Sequence, residues 1–399
     1  MHIRRRRFIH ASTMATASLL VPRFLKAMDL NHRVPSGNRV LVMLQLSGGN
    51  DGLNTIIPYR NDLYYKARPK LGIERNKSLA LTDEAGMHPS LTTMKDLYDA
   101  GQLAILNNVG YPEPDRSHFR SMDIWHTASS SKEYLQTGWL GRYLDKQCQD
   151  CVHPTQAIEL DDILSLALKG EQWNGIAMQD PRRLYHTSNN DLLKDLVKHH
   201  SKVHEEHTAS YLYKTLADTL SSAEYIFKSS KQYETTISYP ATELGKHLKT
   251  ISSLILSDIN TKVYYVSLGS FDTHIAQDFQ QRRLFAELND ALAAFVNDLK
   301  SNGRFGDVML ASFSEFGRRV GQNASGGTDH GSANNMFFIS GALKEKGLLN
   351  ALPDLSDLDN GDLKFKVDFR QVYATLLENW LEVKQENIIV PRFEPLGFV

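Results

Sequence analysis

Apolar runs typical of buried strands alternate along this chain with stretches that read as helices. The strand candidates are short and largely apolar, as expected of strands covered on both faces. They are Val40–Leu46, Leu103–Val109, Ala157–Leu160, Gly175–Met178, Val263–Leu268, Asp307–Phe313 and Asn335–Ile339. The helix candidates are Leu91–Ala100, a stretch towards Trp125, 189–232, Gln281–Leu299 and Val372–Leu381. This alternation predicts an α/β fold with a mainly parallel sheet that helices cover on both sides.

Acidic and histidine residues follow the ends of three predicted strands. They are Asp51 after the first strand, Asp272 and His274 after the strand that ends at Leu268, and Asp329 and His330 after the strand that ends at Phe313. Ligands of open α/β sheets bind beyond the carboxyl ends of the strands. A mixed set of carboxylates and imidazoles suits Zn, Mn or Fe better than Mg or Ca. The pattern therefore predicts a hydrolytic metal site at this edge of the sheet.

Each of these clusters also has an ordinary structural explanation when it is taken alone. Asp51 precedes Gly52, which is typical of a turn. An Asp-x-His pair is commonly a hydrogen-bonded pair, and Asp329-His330-Gly331 is compatible with turn chemistry. The shared position at strand ends is what favours a common site.

Composition and charge limit the classes of function. The 399 residues have 41% hydrophobic content and a formal net charge of −1, so no basic excess points to nucleic acid. Residues 1–30 carry six Lys or Arg and one Asp, a net charge of +5, which leaves −6 on the remainder. No linker or internal repeat divides the rest of the chain. We therefore expect one domain over residues 37–399.

The N-terminus has the features of a twin-arginine signal peptide. Arg4–Arg7 is followed by Phe8 and Ile9, and then by the modest apolar run Ala11–Val21, which is too short to span a bilayer. Residues 1–30 therefore predict export of the folded protein by the twin-arginine translocase, to the periplasm or beyond the cell. The alternative is a basic tail. No other segment is apolar and long enough to be a stable transmembrane helix.

Two cysteines, Cys148 and Cys151, are separated by two residues. A structural zinc site needs four ligands, and no second cysteine pair exists. In an oxidising compartment we expect a local disulfide bond.

Five motifs resemble those of the DUF1501 family, a group of exported bacterial proteins without an established activity. The motifs are Leu46–Asn54, Asp115–Phe119, Ser314–Arg319, Gly327–Gly331 and Asp368–Ala374, and the resemblance covers nearly the whole chain after the N-terminal segment. The family is grouped with the alkaline phosphatase and sulfatase superfamily. This resemblance implies a three-layer α/β/α sandwich with a mainly parallel central sheet.

The resemblance also implies roles for the residues at the strand ends. Asp51, Asp272 and His274 would bind metal, and Asp329 and His330 would bind across two metal ions. The superfamily supplies one more histidine ligand near the C-terminus, but this chain has no histidine after His330. Either His118 replaces that ligand, or one ion binds, or the site is degenerate.

The resemblance makes Ser117 the best match for a nucleophile at the start of a helix. Arg116 or Arg318 would hold oxygens of a phosphate or sulfate group, which the guanidinium fork fits. Ser117 is alternatively a helix N-cap, and Arg318 or Arg319 alternatively forms an ion pair with Glu315.

The sequence thus predicts an exported hydrolase of phosphate or sulfate esters that uses one or two divalent ions. We expect it to act on a small-molecule or polymer ester through Ser117. The other hypothesis is a non-catalytic, degenerate scaffold protein that acts in cell-envelope assembly or secretion. The lack of a late histidine favours that alternative, and the sequence around Ser117 lacks the Cys/Ser-x-Pro-x-Arg pattern of formylglycine sulfatases.

Overall fold

The computed structural model describes residues 38–148, 155–193, 195 and 207–399. The predicted signal peptide, residues 1–30, lies outside the described residues, as does Cys151. Cys148 is disulfide-bonded, as the sequence predicts. Among the described helices, none has the length and hydrophobicity that a transmembrane span requires.

The strands form where the sequence has short apolar runs. They are β1 (Val40–Leu46), β2 (Ile56–Ile57), β3 (Leu79–Ala80), β4 (Gly86–Met87), β5 (Leu103–Gly110), β6 (Ala157–Glu159), β7 (Ile176–Ala177), β8 (Val263–Leu268), β9 (Val308–Phe313), β10 (Asn334–Ile339), β11 (Gly347–Leu348), β12 (Leu358–Asp359), β13 (Asp362–Leu363) and β14 (Val367–Asp368). The longer strands β1, β5, β9 and β10 are buried along their whole length. Burial on both faces explains why their sequences are largely apolar rather than alternating between apolar and polar residues.

The helices are amphipathic or short and connect the strands. They are α1 (Gly52–Thr55), α2 (Asp62–Ala67), α3 (Thr92–Asp99), α4 (His118–Thr127), α5 (Trp139–Gln147), α6 (Pro181–Ser188), α7 (His207–Ser229), α8 (Glu243–Leu256), α9 (Gln277–Ser301) and α10 (Phe369–Thr375). A π-helical turn, Leu376–Trp380, continues α10, so the predicted closing helix is not one regular α-helix. The predicted helical run 189–232 also differs, because the described chain leaves the helix after Ser229.

The main sheet has the order β11-β5-β10-β9-β1-β8-β6-β7, with β14 beside β5. Neighbouring strands from β9 to β7 are parallel, and only β10 runs antiparallel to its two neighbours, β9 and β5. The prediction of a mainly parallel sheet is therefore confirmed.

Helices cover both faces of this sheet. Along β1, Val40, Val42 and Leu44 pack into one apolar cluster with residues of α3, α8 and α9. The intervening Leu41 and Met43 pack into a second cluster with residues of α4, α5 and α10. This is the three-layer α/β/α sandwich that the sequence predicts. Residues from Gly37 onwards form one compact unit.

The middle of the sheet positions the candidate site. Strands β9, β1 and β8 are parallel neighbours, so their carboxyl ends lie side by side at one edge. Asp51 follows β1, Asp272 follows β8, and Glu315 follows β9. These are the positions at which an open α/β sheet offers side chains to a ligand.

Candidate metal centre

A glycine turn brings the end of β1 against the segment that follows β8. The Ser47 amide donates to the Leu268 carbonyl at 2.9 Å, and the Phe271 amide donates to the Ser47 carbonyl at 3.1 Å. Gly48 has φ of +113°, and a Cβ there would lie 2.5 Å from the backbone nitrogen of Asp272. The close approach therefore requires glycine at this position.

Beyond this edge, His118, Asp272 and His330 bring one ligand atom each to within 4.8 Å of one another. Nε2 of His330 lies 3.1 Å from Oδ1 of Asp272, and Nε2 of His118 lies 3.5 Å from Oδ2. The described part of the chain contains no other group of three such residues. His118 is the first residue of α4. The group therefore combines a side chain from a helix with side chains from the loops at the sheet edge.

His274 adjoins the same group. Its Nε2 lies 3.1 Å from Oδ1 of Asp272 and 3.0 Å from Nε2 of His330. Ligands of a tetrahedral ion with bonds of ~2.0 Å are separated by ~3.3 Å, which is close to these two distances. His274 nevertheless lies outside the group of three whose ligand atoms are all within 4.8 Å of one another. We refer to His118, Asp272, His274 and His330 together as the candidate metal centre.

The second nitrogen of each imidazole is held by an oxygen acceptor. Nδ1 of His118 lies 2.9 Å from Oε1 of Glu315, and Nδ1 of His274 lies 3.1 Å from Oδ1 of Asp329. Nδ1 of His330 lies 2.8 Å from the carbonyl oxygen of Arg116. Metal-binding histidines almost always donate their other N–H in this way, because the bond fixes the tautomer and the orientation of the ring.

One buried atom lacks a partner at the point where an ion would be held. Nε2 of His118 is inaccessible to solvent and makes no hydrogen bond, although Asp272 is near. A buried nitrogen of this kind is costly unless something binds it. The donor set of three imidazole nitrogens and one carboxylate therefore fits a divalent ion of the zinc type.

Neighbouring groups shift the pKa values of several side chains in and beside the centre. Partial burial raises the pKa of Asp272, but hydrogen bonds from Arg318 and His330 outweigh this effect and lower the pKa to about 2. A hydrogen bond from Asn323 holds the pKa of Asp329 below its usual value. The hydrogen bond to Glu315 raises the pKa of His118.

The structure gives Asp51 a different environment from the predicted one. The carboxylate is buried and caps α1, accepting a bond from the Leu53 amide at 3.2 Å. Its Oδ2 lies 2.5 Å from Nη1 of Arg68 and also accepts a hydrogen bond from Gln277. Because Arg68 is itself buried and neutralises this carboxylate, Asp51 does not join the candidate metal centre.

Asp329 also departs from the predicted ligand role. Its carboxylate lies 3.1 Å from Nδ1 of His274 and 3.2 Å from the side-chain Nδ2 of Asn323. The residue thus orients a histidine of the centre instead of contributing to the group of three. Four of the six predicted ligands are brought together, and the other two, Asp51 and Asp329, are not.

Ser117 lies directly before the histidine that α4 contributes. It occupies the N-cap position of α4, but its side chain makes no capping hydrogen bond. Ser117 is exposed, and its amide is held at 2.7 Å by Oδ1 of Asp115. The hydroxyl is therefore not committed to the helix end, which was the alternative explanation for this residue.

The two candidate arginines have protein partners. Nη2 of Arg116 donates to Asp362, although the side chain is still 43% exposed. Arg318 is fully buried, and its Nη2 lies 2.7 Å from Oδ1 of Asp272. The remaining bonds of Arg318 go to backbone carbonyls of Gly48, Gly49, Phe271 and Thr328.

These bonds change the interpretation of Arg318. A buried guanidinium that joins four carbonyls is a structural tie between loops, and it is not exposed to a substrate. Glu315 is not its partner either, because Oε1 of Glu315 binds His118 and the Gly48 amide. Sequence reasoning missed the role of Glu315, since nothing in the linear pattern links it to residue 118.

The sequence comparisons identify the family. The model of the family described as "Protein of unknown function (DUF1501)" matches residues 38–387. The chain belongs to the DUF1501 family. The resemblance seen in the five motifs is thus confirmed. No curated protein is significantly similar to this DUF1501 chain in sequence.

Several solved structures are similar to this chain at low sequence identity, and one of them is described as a protein of the alkaline phosphatase superfamily. The lipoteichoic acid synthase LtaP from Listeria monocytogenes aligns with a TM-score of 0.41 and 10% identity, over 89% of this chain and 74% of that one. The C-terminal periplasmic domain of EptC from Escherichia coli aligns with a TM-score of 0.37 and 11% identity, over 92% of each chain. A protein of the alkaline phosphatase superfamily from Vibrio parahaemolyticus aligns with a TM-score of 0.36 and 10% identity, over 90% and 70%.

Proposed function

We propose that this DUF1501 protein is an exported, metal-dependent hydrolase of phosphate or sulfate esters. The observation that carries the proposal is the arrangement of three histidines around Asp272. Each ring has Nδ1 fixed by an oxygen acceptor, and two of the three place Nε2 3.1 Å from one carboxylate oxygen. Purely structural histidines do not need this common orientation, whereas metal ligands do.

His118, Asp272, His274 and His330 would hold a single divalent ion. Zinc suits three nitrogens and one carboxylate best, and Mn or Fe is the alternative. An ion bound there would supply Lewis acidity, stabilising negative charge on a phosphoryl or sulfuryl oxygen and lowering the pKa of a nearby hydroxyl. The described residues offer one such group, so we propose one ion rather than two.

We assign the nucleophile to Ser117. Its hydroxyl is exposed, makes no helix-capping bond and belongs to the residue next to His118. A serine hydroxyl needs activation to attack an ester, which a neighbouring ligand site supplies. The remaining candidate for holding substrate oxygens is Arg116, whose backbone carbonyl also orients His330.

Export by the twin-arginine translocase completes the proposal. The segment that carries the arginines lies outside the described residues, so the sequence pattern is its support. The route transports folded proteins, which suits a chain whose metal ligands come from distant parts of the sequence.

A non-catalytic scaffold in cell-envelope assembly is the second candidate. One observation favours it. Arg68 forms an ion pair with Asp51, the residue to which the family resemblance assigned a metal-binding role. A centre with fewer ligands than its relatives could stabilise the fold without turning over a substrate.

Metal analysis tests the proposal first. The protein is produced with its own N-terminal segment, purified without chelator and analysed by ICP-MS. We expect about one equivalent of a transition metal. We expect its loss in His330→Ala and its retention in His186→Gln, a control at an exposed histidine outside the centre. A folded protein that contains no metal would contradict the proposed hydrolase function.

Turnover then separates the two candidates. The metal-loaded protein is screened against phosphate and sulfate monoesters, together with Ser117→Ala. Retained metal with lost turnover in that variant supports Ser117 as the nucleophile. Bound metal with no turnover on any ester, in wild type as in the variant, would favour the scaffold.

A further inference from the structure

A cavity lies beside the carboxyl end of strand β7, away from the candidate metal centre. It has a volume of about 760 Å³ and is bordered by the segment after β7, the C-terminal end of α7 and one face of α8. Strand β7 is parallel to β6, and β6 is parallel to β8, so the cavity opens beside a carboxyl strand end. It is separated from the end of β8 by two strand spacings, or ~10 Å across the sheet. Its volume is typical of a small-molecule site.

Positive charge dominates the lining. The cations are Arg182, Lys231, Lys246 and Lys249. None of the four forms an ion pair with a described residue. Nζ of Lys231 lies 4.0 Å from the ring centroid of Phe227, which holds the ammonium group at the wall. Lys246 and Lys249 project from α8, and both are exposed.

The acidic residues in the lining do not cancel this charge. They are Asp180 and Glu243, so the formal charge of the lining is +2 with histidine neutral. The carboxylate of Asp180 already caps α6 by accepting from the amides of Arg182 and Arg183, at 2.8 and 3.0 Å. Glu243 is exposed in the first turn of α8. A concave surface lined by charges of one sign attracts ligands of the opposite charge.

His247 provides a separate observation at the same place. It lines the cavity, is only 7% exposed, and its Nδ1 is buried without a hydrogen-bond partner. Burial lowers the pKa of this ring, which favours its neutral form. A buried polar atom without a partner is costly, and a rotation of the ring towards the cavity would let a bound anion accept a hydrogen bond from it.

We propose that this cavity binds a soluble ligand carrying two or more phosphate or sulfate groups. Arginine and lysine are the side chains that hold such oxyanions, and four unpaired cations around a concave surface favour a multivalent ligand over a singly charged one. The proposal does not depend on the function of the candidate metal centre, because it uses none of the residues of that centre.

Calorimetric titration of the full-length protein at low ionic strength tests the proposal. The probes are tripolyphosphate and a trisulfated disaccharide, which distinguish a phosphate source from a sulfated sugar, with methyl sulfate as the singly charged control. We expect saturable binding of at least one multivalent probe and none of methyl sulfate. Absence of binding by both multivalent probes, or equal binding of methyl sulfate, would overturn the proposal.

Variants locate the binding. Lys246→Gln combined with Lys249→Gln should weaken binding at least ~10-fold, because each charge-assisted bond contributes strongly. His247→Leu should weaken it several-fold without a lower melting temperature. The matched control is Lys228→Gln, since Lys228 lies on α7, pairs with Glu224 at 2.6 Å and is outside the lining. Unchanged affinity in the double variant, or equal weakening in Lys228→Gln, would refute the site.

Discussion

Nη2 of Arg318 lies 2.7 Å from Oδ1 of Asp272, so a completely buried guanidinium supports an exposed carboxylate of the candidate metal centre. The same side chain also binds the loop after β1 through the carbonyl of Gly49 at 2.6 Å, and the loop before His330 through that of Thr328 at 2.9 Å. One side chain therefore fixes three loops that meet at the sheet edge.

Arg318→Lys should destabilise the protein and weaken metal binding together. Lysine cannot reproduce the forked donor set, so buried carbonyls would lose their partners, at a cost of about 3 kcal/mol or more. Urea unfolding and metal content measure the two effects. Arg319→Lys is the matched control, since Arg319 is 38% exposed. Equal stability of the two variants would contradict the role assigned to Arg318.

Glu315→Gln should weaken metal binding while leaving the fold intact. Glu315 is fully buried, and Oε1 holds both Nδ1 of His118 and the amide of Gly48. Loss of such an outer partner lowers metal affinity by about 10- to 100-fold. Competition with a chromogenic chelator measures the affinity. Unchanged affinity would show that His118 does not bind the ion.

Gly48→Ala should disrupt the site more than Gly269→Ala does. The residue has φ of +113°, and an added Cβ would lie 2.5 Å from the amide nitrogen of Asp272. Backbone strain of this kind costs about 1–3 kcal/mol. Gly269→Ala is the control, because nothing lies within 4 Å of the Cβ position there. Melting temperatures of the two variants provide the comparison, and similar values would contradict the close approach.

The free energy of unfolding of the wild type, relative to that of Glu159→Gln, should decrease as the pH rises from 4.5 to 7. Burial raises the pKa of Glu159 from 4.5 to about 7. In that window the native state binds a proton that the unfolded state has released, so stability decreases as the pH rises and then levels off. The free energy of unfolding should change by about 3 kcal/mol over this window, because each pKa unit corresponds to ~1.4 kcal/mol. Urea unfolding at several pH values measures it, and a flat difference would refute the shifted pKa.

The sequence predicts the fold well because local patterns determine it. Strand β8 has the predicted bounds, since both of its ends coincide with a change from apolar to polar residues. The site is less predictable. Local clusters of acidic and histidine residues predicted His118, Asp272, His274 and His330 as ligands, and the structure places these four side chains close together. The sequence did not predict the pairing of Asp51 with Arg68, because that pairing depends on where α2 packs relative to the end of β1.

Asp51→Asn and Asp272→Asn should therefore have opposite effects on metal content and stability. Asp272→Asn removes the carboxylate of the candidate metal centre and should abolish binding. Asp51→Asn should retain the metal, yet it leaves the buried Arg68 without its counter-ion and should destabilise the fold by about 3–5 kcal/mol. ICP-MS and urea unfolding on both variants test this. Loss of metal from a folded Asp51→Asn protein would restore the ligand role that the family resemblance implied.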